Sequence, residues 1–166
     1  MIDSIYLGSV LDNKNLAKVI GRLTKKAIFI KKKIKFNGLV ATGVSGLLAL
    51  APLALALKMP FAVVRKSNKN HSGCRVEGEE DITKYLIIDD FIDSGDTIIK
   101  IYKEMYDFNE SVPAGILFYD AYKDDLYDSF TEYYEDYYNC LPSKGKLKQL
   151  LDLNIPMFTA RRSNGK

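Results

Sequence analysis

Apolar residues change their spacing several times along the chain, and each change marks an element. Leu16, Val19, Ile20 and Leu23 recur at helical intervals between lysines and an arginine. An amphipathic helix is therefore expected over residues 13–30, behind a start at Asp12 or Asn13. Leu39-Val40-Ala41 is a short buried-strand signal that ends in Thr42-Gly43, and an Ala/Leu-rich helix follows to about Leu57. Phe61-Ala62-Val63-Val64 reads as a second strand. Residues 67–83 are polar and without periodicity, so they read as a long loop, a feature that inside a compact domain is usually functional or mobile. Tyr85-Leu86-Ile87-Ile88 gives a third strand, residues 89–96 a turn, residues 97 to about 106 a helix, and residues 114–118 a fourth strand. Strands alternating with helices mean a parallel sheet with helices on its faces.

Beyond Asp120 the pattern weakens. Residues 122–138 are crowded with Tyr, Asp and Glu and read as a packed surface element. Residues 144–153 fit one more short helix, and residues 155–159 a last strand. Neither an internal repeat nor a linker interrupts the chain, so one domain is expected over residues 1–166.

Composition narrows the chemistry. A chain of 166 residues can bury roughly 70 % of its unfolded surface, enough for a core without disulfides. The net charge of +3 is too mild to argue for nucleic acid without a clustered basic face. Lys31, Lys32 and Lys33 form a short run that reads as solvated surface, with a patch for an acidic partner as the alternative. Cys74 and Cys140 show no metal-site spacing, and the single histidine, His71, excludes any site needing two imidazoles. The longest apolar stretch, residues 44–57, is broken by Ser45, Gly46 and Pro52 and is too short to span a bilayer. The first residues lack a charged region followed by an apolar run, so no signal peptide is expected. A soluble, cytoplasmic protein without nucleic-acid or membrane partners follows as the expectation.

The sharpest feature is the stretch Leu86-Ile87-Ile88-Asp89-Asp90-Phe91-Ile92-Asp93-Ser94-Gly95-Asp96-Thr97. An apolar strand ends in two adjacent carboxylates, at the edge where open α/β sheets bind ligands. A small-residue turn then opens a helix, and the amides of such a turn form an anion nest. Ser94 and Thr97 add hydroxyl donors. Carboxylates beside a phosphate cradle are repulsive alone. They make sense if Asp89 and Asp90 accept hydrogen bonds from sugar hydroxyls or attract Mg²⁺ while the turn holds a phosphate.

This stretch resembles the phosphoribosyl-pyrophosphate (PRPP) binding motif of type I phosphoribosyltransferases. The resemblance implies that Asp89 and Asp90 bind the ribose 2- and 3-hydroxyls, and that Asp93, Ser94, Gly95, Asp96 and Thr97 wrap the 5-phosphate. It makes Asp89 and Asp90 the candidates for Mg²⁺, reached through water or the ribose hydroxyls. Arg65-Lys66-Ser67-Asn68-Lys69-Asn70-His71-Ser72-Gly73 is similar to the start of the mobile catalytic loop of orotate phosphoribosyltransferases, with one residue inserted before the glycine. In that subfamily part of the loop enters the neighbouring subunit's site, so a homodimer is implied. Four potential cationic donors in seven residues suit a pyrophosphate leaving group whose charge grows in the transition state. Arg65, Lys66, Lys69 and His71 are thereby placed with PRPP, and Lys69 and His71 become catalytic candidates. Thr42, Gly43 and Val44, in the turn Ala41-Thr42-Gly43-Val44-Ser45-Gly46-Leu47, sit where the family keeps its pyrophosphate loop. The turn Ile92-Asp93-Ser94-Gly95 also resembles that of hypoxanthine-guanine enzymes, which adds Asp93 as a catalytic proton acceptor.

The expectation is then an α/β fold like that of type I phosphoribosyltransferases. Its core would run over about residues 36–120, with a small hood from residues 1–35 and 121–166. The implied activity is Mg²⁺-dependent transfer from PRPP to a nitrogenous base, with release of pyrophosphate. The loop favours an orotate-like pyrimidine, and the turn admits a purine. The basic residue with which orotate enzymes grip the base carboxylate is not singled out among Lys26, Lys31, Lys32, Lys33 and Lys35. Two rivals are a PRPP-binding regulator that keeps the fold without turnover and an α/β domain with no such site. The cationic run from Arg65 to His71 and the modest net charge speak against the first of these.

Overall fold

A computed structural model describes residues 11–66, 74–121 and 127–160. Helix α1 (Asn13–Lys31) starts where expected, with the Asp12 carboxylate accepting from the Lys14 amide at 3.3 Å. Strand β1 (Gly38–Thr42) leads into α2 (Gly43–Leu57), and β2 (Phe61–Val64) follows. Strand β4 (Lys84–Asp89) leads into α3 (Asp96–Asn109) and then β5 (Val112–Phe118). The tyrosine-rich region contributes α4 (Phe130–Tyr138), and α5 (Lys146–Asp152) and β6 (Met157–Thr159) complete the described chain.

The expected loop over residues 67–83 is shorter than its sequence suggests. Val76–Gly78 form strand β3, antiparallel to β2, with Val64 opposite Val76 and Ala62 opposite Gly78. Only Val76 of its three residues is buried, so this edge strand lacks the apolar run that marked the others. Gly78 has no room for a side chain: a β-carbon there would fall 2.3 Å from the Phe61 carbonyl oxygen.

The sheet order is β3-β2-β1-β4-β5-β6, parallel apart from β3. Successive strand residues face opposite sides, as the two-residue period requires. Leu39, Ala41, Leu86, Ile88 and Leu117 pack with α1 and α2 on one face. Val40, Tyr85, Ile87, Ile116 and Phe118 pack with α3, α4 and α5 on the other. The helices leaving the neighbouring strands β1 and β4 therefore go to opposite faces. That leaves a crevice at the carboxyl ends of these two strands, where open α/β sheets hold ligands. No described helix is long and apolar enough to cross a membrane.

Candidate active site

A cavity of about 280 Å³ opens at that switch point, lined by Thr42, Ser45 and Lys66 on one side and by residues 89–98 on the other. Its floor is the end of β4. Asp89 and Asp90 are only 6 % and 7 % exposed. Burial, and next the charge of Asp90, hold the Asp89 carboxyl well above the ordinary carboxylate range, while Lys66 pulls the other way. The Asp90 amide donates to Asp89 Oδ1 at 3.0 Å, and the Phe91 amide to Asp90 Oδ1 at 3.1 Å. The carboxylates are thus oriented by the backbone that follows them, and they need a positive group or hydroxyl donors above them.

Donors stand on both sides. Gly95, at φ +80°, is the N-cap of α3 and turns the chain sharply into the helix. A β-carbon at Gly95 would come within 3.0 Å of Phe130 and 3.3 Å of Tyr133. Packing from α4 therefore reinforces what the dihedral already demands. The Ser94 hydroxyl donates to Asp96 Oδ2 at 2.8 Å, and Tyr138 Oη donates to the Ser94 carbonyl at 3.0 Å. The first amides of α3 have no intrahelical acceptor and carry the positive end of the helix dipole.

The second helix start faces the same space. Gly43, at φ +71°, opens α2, and the Lys66 side chain crosses it. Gly46 lets α2 approach the sheet, since a β-carbon there would lie 3.0 Å from Ala41 Cβ and 3.2 Å from the Ile88 carbonyl. Tyr119, buried at the end of β5, donates from Oη to the Ser45 carbonyl at 3.1 Å. Burial pushes that phenol upward, so it stays a donor.

The structure brings together Thr42, Lys66, Asp89, Asp90, Asp93, Ser94, Gly95, Asp96 and Thr97 around one cavity, with Gly43 beneath Lys66. Thr42 directs its hydroxyl to the Val64 carbonyl, tying β1 to β2. Val44 is 62 % exposed on the outer side of α2. The Arg65 guanidinium pairs with Glu77 of β3. Lys69 and His71 lie outside the described residues. Lys31 ends α1, and Lys32, Lys33 and Lys35 follow it before β1, at the amino end of the sheet and opposite the cavity. The contributions of Ser45, Tyr119 and Tyr138 have no sequence signal, because a serine in a helix start or a tyrosine after a strand is common in any core.

Two adjacent carboxylates fit Mg²⁺, which typically takes one or two protein carboxylates and completes its shell from substrate phosphates and water. Among the described residues no group of three or more His, Cys, Asp or Glu side chains is placed to hold a metal ion unaided. The donor set suits a cation that arrives with its ligand.

Helices on both faces, a switch point in strand order between β1 and β4 and a carboxylate pair at that switch define an α/β protein of the type I phosphoribosyltransferase fold. The phosphoribosyl transferase domain model matches residues 7–123, and the chain belongs to that family. It is thereby a pentosyltransferase. Among solved structures, orotate phosphoribosyltransferase from Francisella tularensis is 23 % identical, with a TM-score of 0.60 over 91 % of this chain and 68 % of that one. The orotate enzyme of Aeropyrum pernix is 16 % identical, with a TM-score of 0.54 over 91 % and 75 %. Adenine phosphoribosyltransferase from Saccharomyces cerevisiae is 19 % identical, with a TM-score of 0.57 over 90 % and 80 %. At such identities the likeness is one of fold. No curated protein matches the chain.

Proposed function

We propose that the protein transfers the 5-phosphoribosyl group of PRPP to a ring nitrogen of an orotate-like pyrimidine, with a purine as the alternative acceptor. The observation that carries this reading is the single cavity in which a carboxylate pair lies between two helix starts and a lysine. The turn at residues 93–97 takes the 5-phosphate. Asp89 and Asp90 accept hydrogen bonds from the ribose hydroxyls. Lys66 and the first amides of α2 face the diphosphate. Mg²⁺, held at Asp89 and Asp90 through water or those hydroxyls, would supply charge neutralisation to the leaving diphosphate.

The bond from C1 to the diphosphate oxygen breaks and its electron pair leaves with pyrophosphate. The ribosyl centre passes through an oxocarbenium-like state. The base nitrogen then bonds to C1 from the opposite face, and its proton passes to Asp93 or to solvent. No enzyme nucleophile is needed, so catalysis rests on positioning and charge stabilisation. Lys69 and His71 belong to the same run as Lys66 and would complete the cationic set around the leaving group.

The working unit is a homodimer in this reading. Helix α2 supports it, because its outward row of Val44, Leu47, Ala51 and Leu55 is entirely apolar and exposed, with Leu55 81 % accessible. A helix that buries one apolar face should be polar on the other. The row starts at the turn beneath Lys66, so a second copy seated there would border the site.

The test is pyrophosphate release from Mg-PRPP with orotate, uracil, hypoxanthine, guanine, xanthine or adenine added singly. Release that depends on orotate is expected. Release with none of them, from a protein that still binds PRPP, would overturn the transfer reading.

A further inference from the structure

Helix α3 does more than present its first amides to the cavity. One turn in, Lys100 Nζ donates to the main-chain carbonyl of Lys66. One turn further, Glu104 Oε1 pairs with Arg75 Nη1 at 3.3 Å. Lys100 and Glu104 are four residues apart and so share a helix face. What they grip are the two strands of one hairpin, since the Arg65 amide donates to the Arg75 carbonyl at 2.9 Å just beyond the β2–β3 ladder. Lys66 is the last described residue before 67–73. Its side chain runs back over α2, where a β-carbon on Gly43 would stand 2.6 Å from its Cε and 3.0 Å from its Nζ.

We propose that Lys100 is a positioning residue: by binding the Lys66 carbonyl from α3, it fixes where the Lys66 ammonium stands between Gly43 and Asp89. The inference rests on the reading of Lys66 as a diphosphate ligand. The ladder ends at Val64 and the Arg65 amide makes one further cross-hairpin bond, to the Arg75 carbonyl, while the carbonyl of Lys66 itself is bound by Lys100. Lys100 supplies that constraint from the helix that also carries the phosphate turn. The 5-phosphate end and the diphosphate end of the ligand would then be held at a separation set by one rigid element. Exposed polar contacts of this kind add little to stability, so the consequence is one of placement.

A rival explanation is that the Lys100 charge simply attracts the diphosphate through solvent. A double-mutant cycle separates the two. The probe is inorganic pyrophosphate with Mg²⁺, and calorimetry reads its affinity in wild type, Lys100→Met, Lys100→Arg, Lys66→Met and the Lys66→Met/Lys100→Met pair. Lys100→Met should weaken binding about tenfold, the scale of coupling between residues in one hydrogen-bond network, with the melting temperature unchanged. Lys100→Arg, which can still reach the carbonyl, should recover most of the loss. In the Lys66→Met background, Lys100→Met should cost nothing further, because nothing remains to position. Wild-type affinity in Lys100→Met, or equal losses in both backgrounds, overturns the inference. Wild type that binds pyrophosphate without base-dependent release sinks the transfer reading and leaves the cycle interpretable. Wild type that binds no pyrophosphate overturns both.

Discussion

The aliphatic end of Lys66 lies directly across Gly43, closer than any residue with a β-carbon would permit. One glycine therefore serves two ends. It adopts the left-handed backbone that opens α2, and it leaves a slot for a lysine that follows another strand.

Gly43→Ala separates those roles. A left-handed alanine costs about 1–2 kcal/mol, visible as a modest drop in melting temperature. The new methyl would also push the flexible end of Lys66 out of its slot. Affinity for pyrophosphate should fall by more than the stability loss accounts for. A variant that is only less stable, with unchanged pyrophosphate affinity measured by calorimetry, would remove Lys66 from the site.

Asp89 gives a pH signature. Its folded pKa is raised by burial and by Asp90, above the ordinary value of 3.8. Below that value both folded and unfolded forms hold the proton. As pH rises from there through the folded pKa, the unfolded chain releases it first, so the folded state loses stability over that interval. Asp89→Asn keeps an acceptor for the Asp90 amide and removes the titration. Its melting temperature should stay flatter across that rise and, at neutral pH, exceed wild type by about 2–4 °C for each kcal/mol relieved. Paired with Asp90→Asn it should abolish turnover while the fold persists. Identical pH slopes for wild type and Asp89→Asn would contradict the assignment.

The parallel core was legible because its strands are continuous apolar runs and its helices follow at regular intervals. Residues 61–64 and the carboxylates after residue 88 could be placed from pattern alone. Strand β3 could not, since an edge strand of three residues with one buried side chain carries no periodicity. The cavity's far wall was hidden for a different reason. Gly95 signals a turn, but nothing local says that Phe130 and Tyr133 press against it from 35 or more residues away. The lysines at residues 31–35 invited a base-gripping role, and topology sends them to the opposite end of the sheet. Lys100 reads as an ordinary solvated helix lysine until the Lys66 carbonyl appears beside it.

The bond from Tyr138 to the Ser94 carbonyl ties α4 to the phosphate turn. Tyr138→Phe removes it and keeps the ring, which packs against Tyr134 with centroids 4.4 Å apart. A partly exposed hydrogen bond contributes about 0.5–1.5 kcal/mol. Binding of ribose 5-phosphate should therefore weaken by no more than about tenfold, with melting lowered by no more than about 6 °C. A melting loss without any change in affinity would make the contact purely structural.

The apolar row on α2 bears on how many copies make a working enzyme. Leu47 and Leu55 are 41 % and 81 % exposed, so glutamates there should leave the monomer's fold intact. If the row seats a second copy, Leu47→Glu/Leu55→Glu should convert a dimer to a monomer by light scattering, and a monomeric wild type would end that reading. Dimerisation alone does not show that a site is shared. Mixing two inactive variants does. Lys69→Ala spoils the segment beyond Lys66, and Asp89→Asn/Asp90→Asn spoils the floor of the cavity. If residues 67–73 serve the neighbour's cavity, a heterodimer holds one cavity in which both components are intact. Random exchange of subunits then restores about a quarter of wild-type activity, since half the dimers are mixed and each has one good site. If each segment serves its own subunit, both sites of every heterodimer carry a defect and mixing restores nothing.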